Sequence, residues 1–323
     1  MPALRYAVVG VGSMGKNHAR VAHEMEGMEL VGVADARLDT AESIAKLYGC
    51  PAYTDVVKVL EECRPDAVSV CVPTTLHSQV TEECIRHGIH VLLEKPIAAT
   101  VEEGEQLQES AKRNGVKLMI GHIERFNPAV TKVKEILEKG EIGKVVSVMA
   151  RRVGVFPPQI KDANIAVDLA IHDIDIVSYL LGELPVSAVV DKRRNHIELR
   201  EDSVDFFLRY PSASAYIQAN WITPVKIRKL NITGTNGYLE MDYINQKIQF
   251  YKSNYEKYRE EPGHVDGFSD YVLKYMEPEI VEISIAKREP LKEEIRYFLR
   301  AIVNNQSLDV SYAINALKIA LQD

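Results

Sequence analysis

The sequence has few cysteines, no excess of positive charge and no long apolar run, and each absence excludes a class of protein. Its four cysteines form no C-x-x-C pair, which argues against a zinc knuckle or a dithiol redox motif. A net charge of -7 and a pI near 5.8 argue against binding to nucleic acid. No apolar run approaches the ~18 residues that span a bilayer. We therefore expect a cytoplasmic protein with reduced core thiols, which binds neither nucleic acid nor membranes.

What remains is an ordinary globular composition, with 46% hydrophobic and 26% charged residues over 323 positions. That length predicts about two domains, each with its own core. Residues 1–121 alternate short apolar β-branched runs with amphipathic helical stretches, which predicts an α/β Rossmann domain with a doubly wound parallel sheet. The predicted strands are Arg5–Val9, Glu29–Ala34, Ala67–Val72, His90–Leu93 and Lys117–Ile120.

The pattern changes in residues 122–323, where we predict an α+β domain with a large, mostly antiparallel open sheet. Two helical stretches, Asn127 to Lys139 and Asn164 to Leu181, accompany a series of strands with short connections. Segment 252–288 lacks periodicity and is expected to be a long surface excursion, before two closing helical patterns at Glu294–Val303 and Ser311–Leu321. Alternating apolar residues on the sheet predict an uncovered face that joins subunits into a homodimer or homotetramer; the examples are Phe206, Leu208, Tyr216 and Ile217.

A glycine-rich turn, Gly10–Gly15, directly follows the first strand and opens the first helix. Gly10 permits the tight turn, Gly12 lets the main chain approach a pyrophosphate, and Gly15 allows close helix packing. The helix N-terminus attracts anionic charge beside Ser13 and Met14. This context favours dinucleotide binding over the alternative that the glycines form a turn and nothing more.

Asp35 ends the second strand, 20 residues after Gly15, where a carboxylate can accept both ribose hydroxyls. A 2'-phosphate would meet like charge there, so NAD is favoured over NADP. Arg37 weakens that preference, because it could pair with a phosphate.

Lys95 lies in Glu94-Lys95-Pro96 at the carboxyl end of a predicted strand, the edge where open parallel sheets bind ligands. A lysine half-buried beside a nicotinamide could have its pKa lowered and help to move a hydroxyl proton. The alternative is a surface ion pair between Lys95 and Glu94.

Asp168 and His172 are four residues apart in a predicted helix, so both side chains project from one face. A carboxylate that holds an imidazole in one tautomer makes a useful proton acceptor. A structural polar pair, or a metal site with Asp173 and Asp175, remains as an alternative, although no metal is the expectation.

The stretch Gly121–Pro128 lies at the switch between the two halves. His122 and Arg125 are predicted to face the substrate, and Asn127 either joins them or caps the helix that begins at Pro128.

Taken together and in order, these motifs resemble the glucose-fructose oxidoreductase and inositol dehydrogenase family, often called Gfo/Idh/MocA. Further landmarks are Pro73–His77 and Gly234–Gly237 with Leu239 and Asp242. The resemblance implies that Lys95, Asp168 and His172 form the catalytic group and that NAD is the cofactor. The residues expected at the dinucleotide are Gly10, Gly12, Ser13, Met14, Gly15, Asp35, Arg37, Val72, Pro73, Thr74, His77, Glu94 and Lys95.

Gly121–Val130 is similar to a narrower branch, the UDP-N-acetylglucosamine 3-dehydrogenases and related nucleotide-sugar dehydrogenases. A nucleotide-sugar substrate brings a diphosphate, so the resemblance implies positive charge at the site, for which Arg152 and Lys161 are candidates. The expected reaction is oxidation of a secondary sugar hydroxyl, in the first place the one at C3 of UDP-N-acetylglucosamine. The alternatives are a dehydrogenase of a free polyol or sugar and a non-catalytic dinucleotide-binding regulator.

Overall fold

The computed structural model describes residues 3–156, 164–253 and 278–322, and the chain divides into two compact units. One unit takes in the chain up to Phe126 and again Glu289–Leu321, and the other most of the chain between Asn127 and Arg288. None of the described helices is long and apolar enough to cross a membrane.

The first unit is built on a six-stranded sheet in which every neighbouring pair is parallel, in the order β3-β2-β1-β4-β5-β6. This order confirms the doubly wound Rossmann prediction, since the chain leaves β1 toward one edge and later returns to build the other edge. The strands are β1 (Leu4–Val9), β2 (Met28–Ala34), β3 (Ala52–Tyr53), β4 (Ala67–Val70), β5 (His90–Glu94) and β6 (Leu118–Gly121).

Five helices connect these strands, and their ends follow the local chemistry of the sequence. Thr100 and Glu103 form a reciprocal capping box at the start of α5. Gly49 takes a left-handed conformation at the end of α2, the position that favours glycine. The helices are α1 (Gly15–Glu24), α2 (Leu38–Tyr48), α3 (Val56–Cys63), α4 (His77–Arg86) and α5 (Val101–Arg113).

The last two helices, which we name α8 (Pro290–Val303) and α9 (Ser311–Ala320), belong to the first unit. The sequence-based boundary after residue 121 placed them in the second domain instead. Leu291, Ile295 and Phe298 of α8 are buried in the same cluster as Tyr6 and Leu92 of the parallel sheet. Burial of this apolar stripe against the sheet is the physical reason for the difference.

The second unit contains an eight-stranded sheet in the order β14-β13-β12-β11-β7-β10-β9-β8. It is mostly antiparallel, as predicted, but β7 and β10 form a parallel pair at its centre. The strand β14 was missed in the segment expected to be a surface excursion. The strands are β7 (Val145–Val153), β8 (Ser187–Arg193), β9 (Ser203–Arg209), β10 (Ser214–Asn220), β11 (Ile227–Gly234), β12 (Gly237–Asp242), β13 (Lys247–Lys252) and β14 (Glu279–Ile283).

Two helices, α6 (Pro128–Glu138) and α7 (Ile171–Leu181), contact this sheet, and α7 is preceded by a π-helical turn at Ala166–Ala170. Side chains alternate between buried and exposed along the central strands. Phe206, Leu208 and Ile217, which the sequence placed on an uncovered face, are fully buried. Tyr216, the fourth residue of that prediction, is exposed and lies in register with Val189, Phe207 and Met149 across four strands. Among the described residues, this row marks the uncovered face of the sheet.

Candidate active site

The glycine-rich turn has the shape that a dinucleotide pyrophosphate requires. Gly10 has φ +82°, and a Cβ on it would lie 2.7 Å from the carbonyl of Cys71. A Cβ on Gly15 would lie 1.7 Å from the Gly10 carbonyl oxygen, so α1 packs directly on the turn. A Cβ on Gly12 would meet nothing within 4 Å. The exposed stretch of Gly12, Ser13 and Met14 therefore leaves room for an anionic group at the N-terminus of α1.

The Asp35 carboxylate lies beside this turn and is held by two main-chain donors. Val11 N–H donates to one carboxylate oxygen at 3.0 Å, and Arg37 N–H donates to the other at 3.0 Å. Arg37 itself is exposed and immediately precedes α2. These bonds fix a negative charge at the end of β2, which favours a ribose with two free hydroxyls over one with a 2'-phosphate.

His77 connects the turn after β4 to the turn after β5. Its buried ring places Nδ1 2.7 Å from the Pro96 carbonyl oxygen and Nε2 2.9 Å from the Val72 carbonyl oxygen. Because carbonyl oxygens only accept, both bonds form together only when the imidazole is protonated. His77 thus holds in place Val72–Thr74 and the Glu94–Pro96 loop, two segments expected to line the nicotinamide.

Glu94 is not the surface ion pair considered from the sequence, because its side chain is buried. Its carboxylate contacts His18 Nε2 at 3.0 Å, and Lys95 N–H donates to its other oxygen at 3.3 Å. Burial acts to raise the pKa of Glu94, but the bond from His18 and the positive charges of His18, Lys95 and His77 lower it overall. Lys95 is half-buried and is joined to Pro96 by a cis peptide bond.

A buried polar network extends from Glu94 into the core, and sequence reasoning missed it. His18 Nδ1 contacts Ser69 Oγ at 2.8 Å, and Ser69 Oγ contacts the Tyr6 hydroxyl at 2.6 Å. Glu294 of α8 completes this cluster, since its carboxylate, His18 and Glu94 have ligand-capable atoms within 4.8 Å of one another. The available signal was a histidine among the buried positions of α1, next to Ala19 and one turn after Gly15.

Asp168 and His172 lie in the second unit, and both side chains are half-buried. The expected uninterrupted α-helix is wrong at Asp168, which belongs to the π-helical turn, whereas His172 is the second residue of α7. Such turns inside helices are frequent at functional sites. Among the described residues, the group close enough to share a metal ion contains His18, Glu94 and Glu294, and it includes neither Asp168 nor His172.

Arg152 does not have the exposed guanidinium expected of a diphosphate ligand. It is 4% exposed and makes two bonds to Asp173, at 2.7 Å from Nε and 3.0 Å from Nη2. Its guanidinium also lies 4.9 Å from the ring centre of Tyr243. The charge of Arg152 is thus balanced by a buried carboxylate, and its role as a diphosphate ligand stays a prediction.

Of the other predicted substrate residues, two pack against an aromatic ring and one caps a helix. His122 is buried with its ring 5.5 Å from that of Tyr312, and the Arg125 guanidinium lies 3.8 Å above the same ring. Asn127 caps α6 by accepting from Ala129 N–H at 3.1 Å, and it donates to the Tyr243 carbonyl, which supports the capping alternative. Lys161 lies outside the described residues.

An aromatic and arginine cluster in the second unit was not predicted. Phe156 and Trp221, which follow the carboxyl ends of β7 and β10, meet edge to face at 5.2 Å. The Arg200 guanidinium lies 5.3 Å from the Phe156 ring centre and 5.9 Å from that of Trp221. Beside this cluster, Ile165 N–H donates a hydrogen bond to the Glu201 carbonyl oxygen. This bond brings the residue before the π-helical turn of Asp168 next to the residue that follows Arg200.

Comparison with known proteins gives matches to two family models. Residues 4–122 match the oxidoreductase family with an NAD-binding Rossmann fold, Gfo/Idh/MocA, and residues 130–240 match a Gfo/Idh/MocA C-terminal domain. These matches agree with the two structural units and with the dinucleotide features of the first unit.

Individual relatives cover different shares of the chain. UDP-N-acetylglucosamine 3-dehydrogenase of Acidithiobacillus ferrooxidans is 30% identical over 93% of this chain and 88% of its own. A solved structure of that enzyme superposes with a TM-score of 0.85 at 27% identity, covering 100% of this chain and 97% of that one. Inositol 2-dehydrogenase of Rhizobium meliloti is 34% identical over 57% of each chain.

Proposed function

Because the chain belongs to the Gfo/Idh/MocA family of NAD-binding oxidoreductases, we propose that it oxidises a secondary hydroxyl of a nucleotide sugar, at C3 of UDP-N-acetylglucosamine. The observation that carries this proposal is the likeness to a UDP-N-acetylglucosamine 3-dehydrogenase along 93% of the chain. The inositol dehydrogenase likeness covers 57%, so it supports the dinucleotide chemistry more than the substrate.

The proposed catalytic group is Lys95, Asp168 and His172. The glycine-rich turn and Asp35 would hold NAD, which would supply the hydride acceptor for the carbinol carbon. His172 takes the hydroxyl proton, and Asp168 orients its imidazole and stabilises the charge that develops on it. Lys95 stabilises the alkoxide as the proton leaves. In the overall reaction, one alcohol is converted to one ketone, one hydride goes to the dinucleotide and one proton is released.

The cluster of Phe156, Trp221 and Arg200 supports a nucleotide-bearing substrate. Planar guanidinium and aromatic groups are the side chains that bind phosphates and stack against bases. Because Arg200 belongs to this cluster, it is a second candidate for the diphosphate, beside Arg152. We propose that this cluster receives the nucleotide part of the substrate.

A substrate panel at fixed NAD tests the proposal, with NADH absorbance as the readout. We expect NADH formation with UDP-N-acetylglucosamine and a 3-keto sugar as product, and much lower rates with free N-acetylglucosamine, glucose and inositol. Efficient oxidation of inositol or glucose with no response to UDP-sugars would establish the second candidate, a polyol or sugar dehydrogenase. Saturable NAD binding without NADH from any sugar would favour a regulator.

We also propose that subunits associate through the uncovered face of the second-unit sheet. Phe207 and Tyr216 are directly opposite each other on β9 and β10, and Phe207 is 51% exposed. Apolar side chains in a continuous row of this kind are typical of interfaces. Sedimentation of the Phe207→Arg variant should show a smaller species than the unaltered protein, with Ser43→Arg on the exposed side of α2 as a control of the same charge change. An unaltered species for Phe207→Arg would remove this face from consideration.

A further inference from the structure

Glu294 is a carboxylic acid in the core of the first unit, where the mechanism proposed above does not use it. Its residue is 0% exposed, and neither carboxylate oxygen has a hydrogen-bond partner among the residues that the structure describes. Its neighbour Ile295 is also fully buried, so this position lies on the face of α8 that packs on the sheet.

An ionised carboxylate in such a place lacks any donor to replace its lost water. Buried groups of this kind bind a proton instead of keeping their charge. Glu94 adds to this effect, because its carboxylate lies within 4.8 Å and carries the charge that pairs with His18. Burial first, and the charge of Glu94 second, raise the pKa of Glu294 well above its usual value.

Among the other titratable groups around the pair, His18 lies within 4.8 Å of both carboxylates, but its Nε2 is bonded to Glu94 and not to Glu294. Tyr6 and Cys71 face it from β1 and from the end of β4, and burial raises the pKa of both, so both stay neutral. The positive charges of His18, Lys95 and His77 act on Glu94, whose pKa they lower. The two carboxyl groups therefore differ in their bonds, since Glu94 is bonded to His18 and to the Lys95 main chain, whereas Glu294 has no hydrogen-bond partner among the described residues.

We propose that Glu94 and Glu294 hold a single proton between them, that it resides on Glu294, and that Glu294 thereby acts as a positioning residue for Glu94 and the adjoining Lys95. With Glu294 neutral, the Glu94 carboxylate keeps its bonds to His18 and to the Lys95 main chain. With Glu294 ionised, a second anion would compete for His18 and disturb the loop. The part that concerns Lys95 rests on the proposed function, whereas the location of the proton does not.

Infrared difference spectroscopy of the full chain locates the proton directly. At pH 7 the unaltered protein should show the carbonyl band of a buried protonated carboxylic acid, which shifts in heavy water. The band should be lost in Glu294→Gln, which replaces the neutral acid by a neutral amide of the same shape. It should persist in Glu293→Gln, which changes the partly exposed neighbour. A spectrum without this band, or a band that survives in Glu294→Gln, overturns the proposal.

The same variants test the positioning role by NAD affinity measured from pH 6 to 10. In the unaltered protein, affinity should fall about tenfold as Glu294 loses its proton at alkaline pH, and Glu294→Gln should lack this fall. An alkaline fall with the same midpoint in both proteins would refute the positioning role. If neither protein binds NAD, the proposed function fails while the infrared result still decides where the proton lies.

His18, Glu94 and Glu294 also have the residue types of a divalent-metal site. A metal titration separates metal binding from proton binding. Metal-stripped protein is titrated with Zn²⁺ and with Mn²⁺ while its thermal midpoint is followed. We expect no stabilisation that depends on Glu294. A rise in the midpoint that Glu294→Gln abolishes would show that the two carboxylates bind a cation rather than a proton, and would overturn the proposal.

Discussion

The Asp35 carboxylate accepts a hydrogen bond of 3.0 Å from Val11 N–H, so the acidic end of β2 is bound directly to the glycine-rich turn after β1. The turn expected to bind the pyrophosphate of a dinucleotide and the carboxylate expected to bind its ribose are therefore joined in one element. Because the same carboxylate also accepts from Arg37 N–H, both of its oxygens are held by main-chain donors.

Replacing this charge should change the choice of dinucleotide. We expect Asp35→Asn to lower NAD affinity by about 10- to 100-fold, since it removes a charge-assisted acceptor worth about 1.5–3 kcal/mol. The preference over NADP should fall, because a 2'-phosphate no longer meets like charge. Calorimetric titration with both dinucleotides measures this, with Asp39→Asn in the first turn of α2 as the control. Equal loss for both dinucleotides would mean that Asp35 supports the fold and does not select the cofactor.

Two glycines of the same turn should respond to alanine in opposite ways. Gly12→Ala adds a methyl group where nothing lies within 4 Å, so stability should change by less than about 1 kcal/mol while NAD affinity falls about tenfold or more. Gly15→Ala places a methyl group 1.7 Å from the Gly10 carbonyl oxygen, so the protein should unfold at a much lower temperature. Thermal melting and NAD titration of both variants check this. Normal NAD binding by Gly12→Ala would contradict the assignment of the turn.

The features that the sequence predicted well are those whose cause is local. The first strand, the glycine turn and the first helix follow from residues 5–26 alone. Asn127 could be identified as a helix cap because Pro128 follows it.

The features that were missed depend on partners distant in the chain. Arg152 read as a free cation, because its partner Asp173 lies 21 residues away on another element. The assignment of α8 to the first unit depends on Phe298 meeting a core formed by the beginning of the chain. The buried Ala166 and Ala170 of the π-helical turn are four residues apart, a spacing that an α-helix also gives, so Asp168 could be placed on a helix but not in that turn.

His172 is expected to affect turnover and not binding. In the proposed mechanism His172→Gln removes the proton acceptor, so kcat should fall about 100-fold or more while the KM for substrate changes little. His196→Gln, an exposed histidine of the same unit, serves as the matched control. The measurement is initial NADH formation with UDP-N-acetylglucosamine. Unaltered turnover in His172→Gln would remove this residue from the mechanism.

The pair of Arg152 and Asp173 should govern stability. Arg152→Met leaves Asp173 as an uncompensated buried charge, and such losses cost about 3–5 kcal/mol of unfolding free energy. The double variant Arg152→Met with Asp173→Leu should recover most of that loss, because both charges are removed. Urea unfolding measures the three proteins. If Arg152 bound a diphosphate instead, Arg152→Met would raise the KM for a nucleotide sugar and leave unfolding unchanged.

The unfolding free energy should depend on pH through Glu294, with a sign that follows from its raised pKa. Below its ordinary value of 4.5 the carboxyl is protonated in both states and contributes no pH dependence. Above that value the unfolded chain releases the proton and the folded protein keeps it, so stability falls by about 1.4 kcal/mol per pH unit until the folded pKa is reached. Glu294→Gln removes this slope, and its stability relative to the unaltered protein should therefore rise by about 2–3 kcal/mol between pH 5 and pH 7. Urea unfolding at the two pH values measures the difference, with Glu293→Gln as the control. A constant difference across that range would mean that Glu294 is ionised in the folded protein.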